Sequence, residues 1–183
     1  MFARTSRIAV AAAATMLALG AAAATANAAP AAPENCVLNI DSGSMQCYST
    51  FREAIASSTN GRITNAPLSG KHIDQKLADR LTGLSATAGV QAVQLGVVYT
   101  NSNYGGSALV ITGERACLSG NGRDSQLNLG GIFNNSVSSL TTLSCSLELW
   151  DAPNTAGTHQ EYQQSTSYVG DAMNDRASSV ALL

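Results

Sequence analysis

Tyr99-Thr100-Asn101-Ser102-Asn103-Tyr104-Gly105-Gly106, followed downstream by Asn134-Asn135-Ser136-Val137-Ser138-Ser139, is a pattern that this chain writes twice. The second copy opens with Trp150 and reaches Thr155 and Gly157 at the same spacing. It closes with Asn174-Asp175-Arg176-Ala177-Ser178-Ser179. A hairpin opening on an aromatic residue and an oxygen-rich hexad recur in the same order, and such ordered recurrence signals a repeat architecture. Gly106 and Gly157 can take the positive φ that a folded-over hairpin demands.

The texture around the copies is that of short strands. Val93, Leu95 and Val97 alternate, as do Leu109 and Ile111, with Leu143, Leu147 and Leu149 following; Gly, Asn and Ser punctuate the runs. This predicts a β domain over residues 88–183, a usual size for one core.

Residues 29–87 read differently. After a Pro- and Ala-rich lead, Val37–Ile40 and Met45–Tyr48 flank the turn signal Asp41-Ser42-Gly43-Ser44 and predict a hairpin. Thr50 and Glu53 form a capping box for a helix running to about Ser58. Ile73, Leu77 and Leu81 predict a second short helix ending at Gly83. The segment holds few large apolar residues, so it reads as a small disulfide-tied subdomain, a propeptide, or padding on the following domain.

Residues 1–28 read as a signal peptide. Arg4 and Arg7 precede an Ala-rich apolar run from Ile8 to Ala24, and Ala26-Asn27-Ala28 is a small-x-small cleavage site. No later stretch approaches the ~20 apolar residues of a membrane span. A secreted, extracellular protein beginning near Ala29 is therefore expected. Removing the leader takes away two Arg and no acid, leaving 8 basic against 12 acidic residues. That mildly acidic balance, without a basic cluster, argues against nucleic acid and anionic membranes as partners and is compatible with a cation.

Cys36, Cys47, Cys117 and Cys145 are an even set in an exported chain, which reads as two disulfides. Three pairings are open. The local one, Cys36–Cys47 with Cys117–Cys145, is favoured because each pair lies within its own segment. Zinc is disfavoured because no pair has C-x-x-C spacing and both His72 and His159 lie in polar surroundings.

The doubled pattern resembles the βγ-crystallin superfamily, whose Greek-key motifs begin aromatic-x4-aromatic-x-Gly. In its calcium-binding members each motif ends Asn/Asp-Asn/Asp-x-x-Ser/Thr-Ser. Tyr99, Tyr104 and Gly106 match the opening, both hexads match at every specified position, and Thr155 departs by replacing an aromatic. The resemblance implies an all-β, Greek-key β-sandwich preceded by the disulfide-tied N-terminal segment with its short helices. It implies calcium as a structural cofactor, held within Asn134, Asn135, Ser136 and Ser138 of one hexad and Asn174, Asp175, Arg176 and Ser178 of the other. Asn135, the Ser136 carbonyl and Ser138 are the implied ligands in the first copy. Asp175, the Arg176 carbonyl and Ser178 are those in the second, and the Thr100 and Asp151 backbones are expected nearby. Calcium takes 6–8 oxygens, and ligand charge raises affinity, so the second site, with Asp175, is expected to be the tighter. The competing account of the hexads is a pair of Asx and Ser turns that hold a loop without metal.

The first copy carries 11 more residues than the second between its glycine and its hexad, within Glu114–Gly131. A lengthened loop holding Cys117 suits presentation. Secreted metalloproteinase inhibitors of the actinobacterial type have a similar fold and a disulfide-supported loop. A secreted metallopeptidase is thus the alternative partner, with Ala116, Cys117 and Leu118 as the contact. No nucleophile elbow, zinc-protease or P-loop motif is present, so an enzyme is not expected.

Overall fold

The chain is described by a computed structural model covering residues 34–85, 92–118 and 122–183. The signal-peptide reading and Gly120-Asn121 of the loop signal lie outside the described residues, as does the side chain of His72. Among the described residues no helix is long and apolar enough to cross a membrane.

The elements are β1 (Asn35–Asn39), β2 (Met45–Tyr48), α1 (Phe51–Ser58), a 3-10 turn (Gly70–His72), α2 (Gln75–Ser85), β3 (Val93–Asn101), β4 (Gly105–Gly113), β5 (Ser125–Asn128), a second 3-10 turn (Gly131–Phe133), β6 (Ser139–Thr142), β7 (Leu147–Ala152), β8 (Ala156–Tyr162) and β9 (Ser179–Leu182). They form a five-stranded sheet, β2-β1-β4-β3-β6, and a four-stranded sheet, β5-β9-β7-β8. Each repeat lends a piece to the other's sheet. β5 of the first repeat pairs with β9 of the second, and Thr166 of the second bridges to Leu140 on β6. This exchange is what ties two hairpins into one sandwich.

The larger sheet is buried on both faces. Leu109 and Ile111 of β4 point into the core between the sheets, where Leu147, Leu149, Val180 and Leu182 meet them. Ala108 and Val110, on the opposite face of the same strand, pack beneath Phe51 and Ile55 of α1 and Leu77 and Leu81 of α2. The capping box expected at Thr50 opens α1: Thr50 Oγ1 accepts from the Glu53 amide, and Glu53 Oε2 accepts from the Thr50 amide. α2 begins at Gln75, after Ile73, and runs two residues past Gly83.

One expectation is corrected here. Val93, Leu95 and Val97 do not share a face: Val93 and Leu95 enter the inter-sheet core, whereas Val97 joins the helical side. A bulge between Gln94 and Gly96 shifts the register against β4 and flips the alternation. Gly96 allows it, because a Cβ there would lie 2.9 Å from a Leu147 methyl and 3.1 Å from the Thr141 carbonyl. The described residues on either side of position 87 lie in one compact unit. β1 pairs in parallel with β4, Cys36 opposite Leu109, so the N-terminal hairpin widens the larger sheet. The helices behind it have too little apolar surface for a core of their own and bury it by covering that sheet. The disulfides nevertheless follow the local pairing, Cys36–Cys47 and Cys117–Cys145.

Candidate metal site

The two hexads sit side by side, each reaching across to the other. The amide of Asn135 donates to the Ala177 carbonyl at 2.9 Å, and the amide of Asp175 to the Val137 carbonyl at 3.1 Å. Asn135 and Asp175 both take positive φ, 55° and 56°, a conformation that Asn and Asp tolerate better than other non-glycine residues. That turn aims each side chain at the other hexad. Asp175 Oδ1 accepts from Ser138 Oγ at 3.2 Å, and Asn135 Oδ1 accepts from Ser178 Oγ at 3.0 Å.

Four of the residues implied as ligands, Asn135, Ser138, Asp175 and Ser178, therefore come together, but in crossed pairs. The sequence reading grouped Asn135 with Ser138 and Asp175 with Ser178; the fold joins Asp175 to Ser138 and Asn135 to Ser178. Adjacency in sequence could not reveal this, because the exchange depends on how the repeats pack.

Each hexad is anchored to its own hairpin in matching fashion. The Ser138 amide donates to the Tyr99 carbonyl and the Ser178 amide to the Trp150 carbonyl. Ser139 Oγ donates to the Asn101 carbonyl and accepts from the Tyr104 amide; Ser179 Oγ does the same with Ala152 and Thr155. The hairpin glycines make room for one further bond. Thr100 Oγ1 accepts from the Ser107 amide, and Asp151 Oδ1 from the Thr158 amide. A Cβ on Gly106 would lie 2.3 Å from Thr100 Oγ1, and one on Gly157 2.1 Å from Asp151 Oδ1. With φ of 72° and 85°, both positions require glycine for conformation and for space.

The oxygen clusters differ. Around the nearly buried Ser138, the Thr100 carbonyl (3.0 Å) and Asp175 Oδ1 both face the hydroxyl. One hydroxyl proton serves two acceptors, so this point is rich in oxygen and short of donors, as a hard cation requires. Asn174 Nδ2 steadies the carboxylate through Oδ2 at 2.9 Å. Around Ser178 the facing acceptor is the neutral Asn135 amide oxygen. Asp151, the counterpart of Thr100, has its carboxylate engaged by the Thr158 amide and by Arg176 at 3.1 Å. Ser136 turns its hydroxyl to the Asn134 carbonyl. The donor set fits calcium at both points and more fully at the first.

The hairpin tips are locked by different means. Tyr104 packs edge-on against Tyr99, centroids 5.7 Å apart. Tyr99 is fully buried and its hydroxyl meets Thr141 Oγ1 at 3.3 Å; burial pushes its phenol well above the usual range. Thr155, expected to leave the second tip without its ring lock, is held by hydrogen bonds instead. Its hydroxyl donates to Gln126 Oε1 and accepts from Arg123, and neighbouring Asn154 exchanges two bonds with Asn128. Sequence reasoning passed over Arg123, Gln126 and Asn128, which lie within the Glu114–Gly131 stretch that holds the 11-residue surplus. Trp150 stacks on His159 at 4.1 Å, and Arg123 lies 5.1 Å from the indole centroid.

Among the described residues, the one grouping of thiol and acidic side chains close enough to share a metal is Glu34 with Cys36 and Cys47. Those sulfurs are joined to each other, so they offer no thiolate. Leu118 is half exposed beside the Cys117–Cys145 bridge, and its amide donates to Asp124 Oδ2.

No family model matches the chain, and no curated protein matches it. In structure it is similar to a βγ-crystallin domain from Clostridium beijerinckii, at 21% identity and a TM-score of 0.39 over 49% of this chain and 97% of that one. It is similar also to a βγ-crystallin domain from Flavobacterium johnsoniae, at 21% identity and 0.38 over 49% and 93%. The N-terminal domain of protein S gives 17% identity and 0.37 over 49% and 94%.

Proposed function

We propose that this chain is an exported calcium-binding protein in which the ion stabilises the junction of the two repeats. The observation that carries this reading is the crossed pair Ser138–Asp175 and Asn135–Ser178, with the Thr100 carbonyl completing the first. Calcium would supply a positive charge for the oxygens that the two repeats bring together. Asp175 brings the negative charge, Ser138 and Ser178 bring hydroxyls, and Thr100 brings a carbonyl already aimed by the hairpin. Two disulfides are consistent with an oxidising compartment.

The crossing reverses the expected order of affinity. The carboxylate belongs to the Ser138 cluster, so that site is the tighter one and the carboxylate-free Ser178 cluster the weaker. Calorimetric titration should show two unequal sites in the range of ~10⁻⁴ to 10⁻³ M, typical of extracellular modules. Ser138→Arg should remove the tighter site and Ser178→Arg the weaker. A calcium concentration 100 times the dissociation constant adds about 2.7 kcal/mol to native stability, which is a rise of roughly 5–10 °C in melting temperature for a protein of this size. No heat and no thermal shift at millimolar calcium would reject the reading and leave the hexads as turns.

Exposed Leu118 beside the Cys117–Cys145 bridge favours a second reading, compatible with the first: inhibition of a secreted metallopeptidase through Ala116, Cys117 and Leu118. Leu118→Asp should abolish inhibition of a thermolysin-like enzyme, because it forces a charge into an apolar pocket. Unchanged inhibition by that variant removes Leu118 from the contact.

A further inference from the structure

The surplus residues of the first repeat do more than lengthen a surface loop. Arg123, with Gln126 and Asn128 of the adjoining β5, reaches the tip of the second repeat's hairpin. Arg123 is the most connected. Its Nη1 donates to Thr155 Oγ1 at 2.9 Å, its Nη2 meets Glu148 Oε2 at 3.3 Å, and its guanidinium lies against the Trp150 ring. Glu148 Oε2 also accepts from Trp150 Nε1 at 2.8 Å, so the strand before the hairpin and the tip after it are gripped by one planar group. A guanidinium suits this because its donors are fixed in a rigid fork.

That hairpin forms one wall of the Ser178 cluster. The Trp150 carbonyl accepts from the Ser178 amide at 2.7 Å, and Ser179, the next residue, binds both the Ala152 carbonyl and the Thr155 amide. Among the described residues no guanidinium grips the first hairpin; its tip is held by the Tyr99–Tyr104 contact and by the Asn103 amide, which donates to the Ser167 carbonyl at 2.8 Å. We infer that Arg123, supplied by the insertion in the first repeat, is a positioning residue for the carboxylate-free metal site formed by Asn135 and Ser178. It touches no ligand. It fixes the hairpin whose carbonyls and amides hold Ser178 in place, and its loss lets that wall relax while the Ser138 cluster keeps its geometry. This rests on the calcium reading above.

The test is calcium titration of the full mature chain by calorimetry, followed in parallel by the emission of Trp150, the single tryptophan. Arg123→Ala should weaken the lower-affinity site about fivefold, within the span of measured site couplings, and leave the tighter site unchanged. The emission change should track the lower-affinity site, with its midpoint moved by the same factor. Thr155→Val, which removes the hydroxyl that Arg123 grips, should reproduce the shift. Arg115→Ala, which removes one positive charge from the same loop, should leave both affinities alone. Unaltered affinities in Arg123→Ala and Thr155→Val, in a wild-type protein that binds two ions, overturn this inference alone. Proportional weakening of both sites also overturns it, since that is general destabilisation. Absence of any binding in the wild type removes the calcium reading and this inference together.

Discussion

A chain shortened to residues 88–183 is expected not to reach the native fold, although it retains both repeats, both hexads and the Cys117–Cys145 pair. Val97, Tyr99, Ala108 and Val110 are buried against α1 and α2. Without the helices they form an apolar strip on the outside of the larger sheet. Fully burying a side chain of the Val, Leu or Phe kind is worth about 1.5–3 kcal/mol, so the three large ones together account for roughly 5 kcal/mol or more. Native domains hold only about 5–15 kcal/mol in total. β4 also loses its parallel partner β1 and becomes an open edge, a template for pairing with other chains. Circular dichroism and size-exclusion chromatography should show an unfolded or aggregated product. A monomer that unfolds cooperatively within a few degrees of the longer protein would show that the helical layer is dispensable.

The repeated pattern was legible because it is written in residue types with narrow conformational roles. Gly106 and Gly157 must be glycine, and Asn135 and Asp175 hold positive φ. Each of these announces itself in the sequence. The capping box at Thr50 and Glu53 is equally local. What escaped was non-local. The bulge at Gln94–Gly96 looks like plain alternation until the register with β4 is known. The covering of the larger sheet by α1 and α2 turns on which face of β4 carries Ala108 and Val110, and alternating apolar residues on both faces of one strand read simply as a buried run. The crossing of Asn135 to Ser178 and Asp175 to Ser138 depends on packing between repeats, so spacing within one hexad could not show which side chains meet. Thr155 read as a missing aromatic because its partners, Gln126 and Arg123, come from the other repeat.

Tyr99 and Trp150 hold the same position in the two repeats, and their replacement by alanine should have unequal consequences. Tyr99 is fully buried between the larger sheet and the helical layer. Its ring lies so close to Gly70 that a Cβ there would be 2.3 Å from Tyr99 Cε1, and its hydroxyl is the partner of the buried Thr141 Oγ1. Tyr99→Ala therefore opens a cavity between two layers that cannot easily collapse and removes the partner of a buried hydroxyl. Large aromatic-to-alanine changes in such sites cost about 3–5 kcal/mol. Trp150 is partly buried and packs against side chains at the surface, with His159 stacked on it and Arg123 beside it. A stacked pair contributes ~1 kcal/mol and an exposed cation–π contact slightly less, so Trp150→Ala should cost about 2 kcal/mol. Urea unfolding of the two variants, compared at constant m, measures the difference. The larger penalty at Tyr99 follows from the helices covering the first hairpin and leaving its counterpart open. Equal penalties would mean that the two aromatics serve their own hairpins alone, and that the helical layer adds nothing to the lock on the first.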